Sequence, residues 1–213
     1  MQVGVRWQPS SSRPLNNAYE LTRPILAEES SYVMFWVAWQ QVEPSPSHTD
    51  YQNNASPGLK MFDQVVDGAN GAGLKVEFVF FGCPGWASEL GPNGGKRPKI
   101  DHFNAFLRRL AKHFKGRVHS YQLGHETNLK SIMPGADVAF LHDEIFIKGA
   151  QAVRQVYDAE PRLPVLISTS GCSPCQGCPV LDGLKGKGGE AVDDFYEHMV
   201  NNKELIKLVD CLN

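Results

Sequence analysis

Glu126 closes the segment Tyr121-Gln122-Leu123-Gly124-His125-Glu126, where an apolar strand gives way to polar residues, and a carboxylate so placed can move a proton. On a strand beginning at Val118, Ser120, Gln122, Gly124 and Glu126 share one face, while His119, Tyr121, Leu123 and His125 share the other. The first face is small and polar, so it is expected to look towards a site. His125 brings an imidazole able to donate a hydrogen bond beside the carboxylate. Asn128 brings an amide that could position Glu126 or its loop, although asparagine after a strand is also a common turn former.

A second group of reactive residues is the run Cys172-Ser173-Pro174-Cys175-Gln176-Gly177-Cys178. Its spacing is open to three readings: a zinc or iron–sulfur ligand set, a disulfide within a loop, or unpaired thiols. The fourth cysteine of a ferredoxin-like cluster does not follow at its usual spacing, which weakens the first. The histidines make no His-Glu-x-x-His pattern, so neither a catalytic metal nor a cofactor is expected. Lys185-Gly186-Lys187-Gly188-Gly189 departs from the phosphate-loop pattern and reads as a solvated linker.

The elements that must hold these residues alternate regularly. Strands are expected over 3–7, 32–39, 74–81, 118–126 and 164–169, with a sixth beginning at Val209. The second (YVMFWVAW) is almost continuously apolar, as in a strand covered on both faces. Between the strands lie helical patterns. Ser56 and Pro57 open one carrying Leu59, Phe62, Val65, Val66 and Ala69, and Asp101 opens another carrying Phe103, Phe106, Leu107, Leu110, Ala111 and Phe114. Two more are expected over 138–157 and 191–208.

Repeated βα units require parallel pairing and right-handed crossovers, hence an α/β fold that is either a doubly wound sheet or a (β/α) barrel. No Gly-x-Gly-x-x-Gly follows the first strand, and Trp39, Trp86 and Glu126 collect after strand ends, which favours a parallel (β/α) TIM-type barrel. Residues 1–213 are expected to form one domain holding five to six of the eight βα units and stopping before the seventh strand. Such a barrel would need covering, by self-association or by its C-terminal half, because open strand edges leave backbone groups unpaired.

Composition narrows the partners. A net charge of −2 without a long basic run argues against a grip on nucleic acid or anionic lipid, and no apolar stretch approaches the roughly 20 residues of a membrane span. A neutral or polyhydroxylated ligand suits the chain better. The first residues lack the charged and apolar parts of a leader peptide, so the sequence reads as cytoplasmic, or as extracellular or periplasmic with its leader removed.

Several segments, in order, resemble clan A glycoside hydrolases, above all the family of β-xylosidases and α-iduronidases. Trp39-Gln40-Gln41-Val42-Glu43-Pro44 resembles the family's Trp-x-x-Ile/Val-Glu-Pro after strand two, and Gly73-Leu74-Lys75-Val76 resembles its Gly-Ile-Lys-Val before strand three. Cys83-Pro84-Gly85-Trp86-Ala87 is similar to Pro-x-Trp-Ala, and Tyr121 to Leu129 to the strand-four Glu-Ile-Trp-Asn-Glu-Pro-Asn-Leu. Asp158-Ala159-Glu160-Pro161 resembles the segment before strand five.

The resemblance implies a carbohydrate substrate and makes Glu126 the general acid/base of a retaining glycosidase, whose partner nucleophile in the family stands on strand seven, about 5 Å away. Glu77, Glu43 and Asp210 are not obvious substitutes: the first lies early in its strand, the second reads as architectural, and the third falls in the incipient sixth strand. Trp39, Trp86, His125 and Asn128 become candidate sugar contacts, the tryptophans through stacking, though tryptophans near strand ends pack into cores at least as often. Two residues depart from the family: His125 replaces its Asn and Gly124 its Trp. These departures also admit a noncatalytic carbohydrate-binding or interaction protein derived from such a barrel.

Overall fold

The computed structural model describes residues 3–7, 30–91, 97–158 and 163–212. Five parallel strands, β1 (Val3–Trp7), β2 (Ser30–Ala38), β3 (Lys75–Phe81), β4 (Ser120–Gln122) and β5 (Leu166–Ser168), pair in sequence order. All four pairings are parallel, as the expected (β/α) barrel arrangement requires. Beyond β5, Ser168 pairs in parallel with Cys211, and the amide of Asp210 donates to the carbonyl of Ile167 at 2.8 Å, where the sixth strand was expected.

The helices form where the sequence carries caps and a 3.6-residue stripe. Ahead of α2 (Pro57–Gly71), which follows the short α1 (Trp39–Val42), the Ser56 hydroxyl accepts from the Leu59 amide at 3.0 Å and donates to the Val42 carbonyl at 2.7 Å. One serine therefore starts α2 and ties it to the end of α1. The buried stripe of α2 is Leu59, Phe62, Val65, Val66 and Ala69, each large side chain stabilising by about 1.5–3 kcal/mol on burial. α3 (Ile100–His113) buries Phe103, Phe106, Leu107 and Leu110 against the sheet's outer face, with Asp101 in its first turn and Lys112 in its last, the charge order a helix dipole favours. Phe78 of β3 lies at the centre of this layer, edge-on to Phe62, Phe114 and Tyr121.

Several elements differ from the sequence reading: the fourth strand, expected over 118–126, is regular only over Ser120–Gln122, and the fifth, expected over 164–169, only over Leu166–Ser168. The second strand ends at Ala38, and Trp39 turns into α1. The helix expected over 138–157 contains a π-helical stretch (Phe140–Ile147) before α4 (Lys148–Tyr157). The helix expected over 191–208 is broken into α5 (Gly189–Asn201) and α6 (Lys203–Leu208), because the Asn202 side chain accepts from the amides of Glu204 and Leu205 and starts a new helix. The segment Asp158-Ala159-Glu160-Pro161 lies largely outside the described residues.

β2 is not covered equally on its two faces. Val33, Phe35 and Val37 are buried under the helices, whereas Tyr32, Met34 and Trp36 alternate with them as half-buried residues on the inner, concave face. β3 continues that face with Glu77, which pairs with Met34 and Ser120 in the ladder and accepts a hydrogen bond from the Ser120 hydroxyl at 2.9 Å. Burial raises the Glu77 pKa against the lowering effect of that bond. The inner face thus mixes polar groups such as Glu77 and Ser120 with the aromatic rings of Tyr32 and Trp36.

Candidate active site

Glu126 stands just past the C-terminal end of β4, the end at which parallel α/β folds place their chemistry. The strand loosens before reaching it. The regular strand stops at Gln122, whose side-chain amide donates to the Gly124 carbonyl at 2.6 Å; the Leu123 amide still donates to the Ser168 carbonyl of β5 at 3.0 Å, and His125 then bridges to Gly171 beyond the end of β5. Glu126 itself has φ 51°, the left-handed region that a side chain with a Cβ rarely occupies, at a cost of about 1–2 kcal/mol. It is the one non-glycine residue in that region among those described. Its amide donates to the Gly171 carbonyl at 2.8 Å and its carbonyl accepts from Leu129 at 3.1 Å, so both sides of the strained peptide are fixed.

The change of backbone hand alters which side chains meet. Simple alternation set His125 on the face opposite Glu126. The structure instead puts the His125 ring 4.3 Å from that of Trp36, on the inner face of β2, and its Nε2 3.8 Å from Glu126 Oε1. Alternation holds only while a strand is extended, and here the extended run has ended. The Glu126 side chain is 37% exposed, open to solvent at the end of the sheet. Trp36, which also meets Phe81 edge-on at 5.5 Å, belongs to this cluster and was missed in the sequence. Its signal was the alternation of Tyr32, Met34 and Trp36 within an otherwise apolar run.

Gly124 occupies a closed position. A Cβ there would lie 2.6 Å from Thr127 Cγ2 and 3.4 Å from Ser170 Cβ, so the family's tryptophan would have to displace the Thr127 turn. A cavity of about 40 Å³ lies beside this point, lined in part by Gly124, His125, Thr127, Phe81 and Met133.

Asn128 does not face a ligand. It is fully buried, its amide donates to the Ser173 carbonyl and its side-chain oxygen accepts from the Ser173 amide, both at 2.9 Å. The reading of Asn128 as a sugar contact is therefore replaced by its other reading, a residue that pins loops. The reason is physical: every polar atom of its side chain that faces the loop is already paired inside the protein.

Trp39 is corrected in the same way. It is 1% exposed, stacked on Phe106 at 4.8 Å, and its Nε1 donates to Glu43 Oε2 at 2.9 Å, leaving no ring face for a sugar. Glu43 is architectural, as expected: it also accepts from Tyr51 Oη and from Nε and Nη2 of Arg109, each at 2.8 Å. Trp86 remains half-buried above this group, held by a bond from its Nε1 to the Glu43 carbonyl at 3.0 Å and flanked by Trp39 and His102. Glu126, His125 and Trp36 thus form one cluster, and Trp86, Trp39 and Glu43 another at the ends of β2 and β3.

The cysteine run resolves to a disulfide between Cys175 and Cys178, with Cys172 free. Among the described residues, no group of three or more His, Cys, Asp or Glu side chains is arranged to hold a metal ion. Nor do the other candidate carboxylates stand near Glu126. Glu77 pairs with Ser120 at the start of β4, the opposite end of that strand from Glu126, and Asp210 is engaged by Arg154 at 2.6 Å and the Ile167 amide at 2.7 Å.

No protein-family model and no curated protein sequence matches this chain. Solved structures do, and at 11–21% identity the likeness shows the fold, that of a parallel (β/α) TIM-type barrel. A glycoside hydrolase family 30 subfamily 8 xylanase from Clostridium acetobutylicum superimposes with a TM-score of 0.62 at 11% identity, covering 98% of this chain and 48% of that one. An exo-β-1,4-mannosidase from an Opitutaceae bacterium gives 0.61 at 21% identity, covering 82% and 32%, and a family 39 glycoside hydrolase from Bacteroides cellulosilyticus gives 0.53 at 19%, covering 79% and 31%. The chain spans about a third to a half of the length of these proteins.

Proposed function

We propose that the chain is the N-terminal part of a retaining glycosidase barrel in which Glu126 is the general acid/base. The observation that carries this reading is the placement of Glu126: a solvent-open carboxylate in left-handed backbone at the C-terminal end of β4, anchored through its own amide and carbonyl. Strain of this kind persists only where surrounding structure maintains it, and it concentrates at functional sites. Glu126 protonates the departing glycosidic oxygen, then takes a proton from the water that releases the sugar. Trp36 and Trp86 offer ring surface to the substrate, and the His125 imidazole, braced by Trp36, stands beside the carboxylate at 3.8 Å. The nucleophilic carboxylate is supplied from outside the residues described, as the fold similarity to longer hydrolases supports.

The test is Glu126→Gln in the protein carrying the whole barrel. Turnover of aryl glycosides with poor leaving groups is expected to fall by about 10²–10⁴-fold, and much less when the leaving group departs without a proton. Unchanged turnover with both classes removes Glu126 from the reaction.

The closed space at Gly124 and the replacement of asparagine by His125 favour a second reading, a barrel that binds carbohydrate without cleaving it. Calorimetry showing sugar affinity in a whole-barrel protein that turns over no glycoside would establish it.

A further inference from the structure

The cysteine loop after β5 is fastened to the Glu126 loop at both of its ends. At its start the Glu126 amide donates to Gly171, and Asn128 exchanges two hydrogen bonds with Ser173. At its end the Lys130 amide donates to Pro179 at 3.0 Å, Leu129 pairs with Val180, and the Leu181 amide donates to the Asn128 carbonyl at 3.0 Å. Between these ends, the Cys175–Cys178 bond closes a small ring. The ring backs onto the start of α5, where a Cβ on Gly188 would come within 2.9 Å of Gln176 Cγ and 3.1 Å of its Cα. The disulfide therefore shortens the one segment that spans both attachments of the Glu126 loop.

We infer that Cys175–Cys178 is a redox-reversible clamp on the Glu126 loop, and that its reduction by an external dithiol loosens the backbone that holds Glu126 in left-handed conformation. Pro174, Gln176 and Gly177 are exposed, so a reductant can approach the sulfurs. The dithiol's thiolate attacks one sulfur and displaces the other, which leaves as a thiolate and takes up a proton. The reagent's second thiol then closes its own disulfide, releasing the first protein sulfur, so two electrons and two protons pass to the cysteine pair. The protein's own nearest thiol is a poor substitute. Burial pushes Cys172 up to about 12, the Tyr196 hydroxyl bond opposing this, so Cys172 stays protonated and unreactive at neutral pH.

Reduction removes a short-ring constraint from the loop, and what remains at each attachment is a handful of hydrogen bonds. Hydrogen exchange of the full chain, followed by mass spectrometry with and without dithiothreitol, reads the consequence directly. Peptides covering residues 124–132 are expected to exchange about tenfold faster when the disulfide is reduced, while those of β3 and α3 are unchanged. The Cys175→Ser/Cys178→Ser double variant should exchange fast in either condition, and Cys172→Ser should respond as the wild type does. Equal exchange in oxidised and reduced wild type overturns the clamp, as does equal loosening throughout the chain, which would make the bond a general staple. The effect on turnover rests on the acid/base role of Glu126, but the exchange result does not. An exchange response alongside a fully active Glu126→Gln enzyme would sink the catalytic reading and leave the clamp standing.

Discussion

Glu43 and Glu126 are the same residue type just beyond the C-terminal ends of parallel strands two places apart in the sheet, yet their surroundings are opposite. Glu43 is completely buried and takes four hydrogen bonds, two from Arg109 and one each from Trp39 and Tyr51. Burial, followed by the charge of Glu43, raises the pKa of the Tyr51 hydroxyl, so it stays protonated and serves as a donor. Glu126 is open to water, sits in strained backbone and has His125 Nε2 at 3.8 Å. The difference lies in the supply of partners. A carboxylate whose lone pairs are all taken holds elements together, whereas one left open on a fixed backbone can exchange a proton with a ligand.

The comparison is broken most directly by exchanging charge for amide at each position. Glu126→Gln, expected to cost the largest factor in turnover, should leave the denaturant midpoint nearly unmoved, since it removes no buried partner. Glu43→Gln should do the reverse, destabilising by about 3 kcal/mol because Arg109 loses its counter-charge, with urea unfolding as the measurement. A Glu43 variant as stable as the wild type would show that four satisfied bonds do not make a carboxylate structural.

His142 sharpens the contrast, being buried like Glu43 but without its partners. It is 5% exposed, packs against Phe146, Phe195 and His198, and its Nε2 has no hydrogen-bond partner among the described residues. Burial first, and the neighbouring His198 second, lower its pKa to about 4. Because the unfolded chain binds that proton below the ordinary value of about 6.5, the unfolded state gains protons first as pH falls. Stability contributed by neutral His142 is therefore complete above pH 6.5 and lost between about 6.5 and 4, by up to ~3 kcal/mol, and His142→Phe should flatten that part of the stability profile. An unchanged profile in the variant would assign the acid sensitivity elsewhere.

The smallest effect concerns strain. Glu126→Gly removes the Cβ from a left-handed position and should stabilise the fold by about 1 kcal/mol while abolishing acid/base function. Loss of stability instead would mean that the glutamate side chain repays its own strain in the absence of ligand.

Much of this arrangement was legible in the chain. The alternation of apolar strands and striped helices requires parallel βα units whatever the ligand, and the Ser56-Pro57 start and the buried stripes of α2 and α3 followed from local chemistry. What escaped was local irregularity. Trp39 was read as a strand end because the four residues of α1 are too few to show helical periodicity. His125 was set on the wrong face because alternation was extended past Gln122, where the regular strand ends, and Glu126 then adopts φ 51°, neither of which a pattern of hydrophobicity reveals. The C-x-x-C-x-x-C run left its pairing open, since spacing alone does not say which two of three thiols meet.

The consecutive strand order carries one further consequence. Because β1 to β5 pair in sequence order among the described residues, every new strand finds its docking edge already made by the preceding one. Assembly can then proceed vectorially as the polypeptide leaves the ribosome, each crossover closing a loop of modest length rather than waiting for a distant partner. The same linear order makes the layer divisible between βα units, so lineages can lengthen, shorten or recombine such sheets without rewiring the strands that remain.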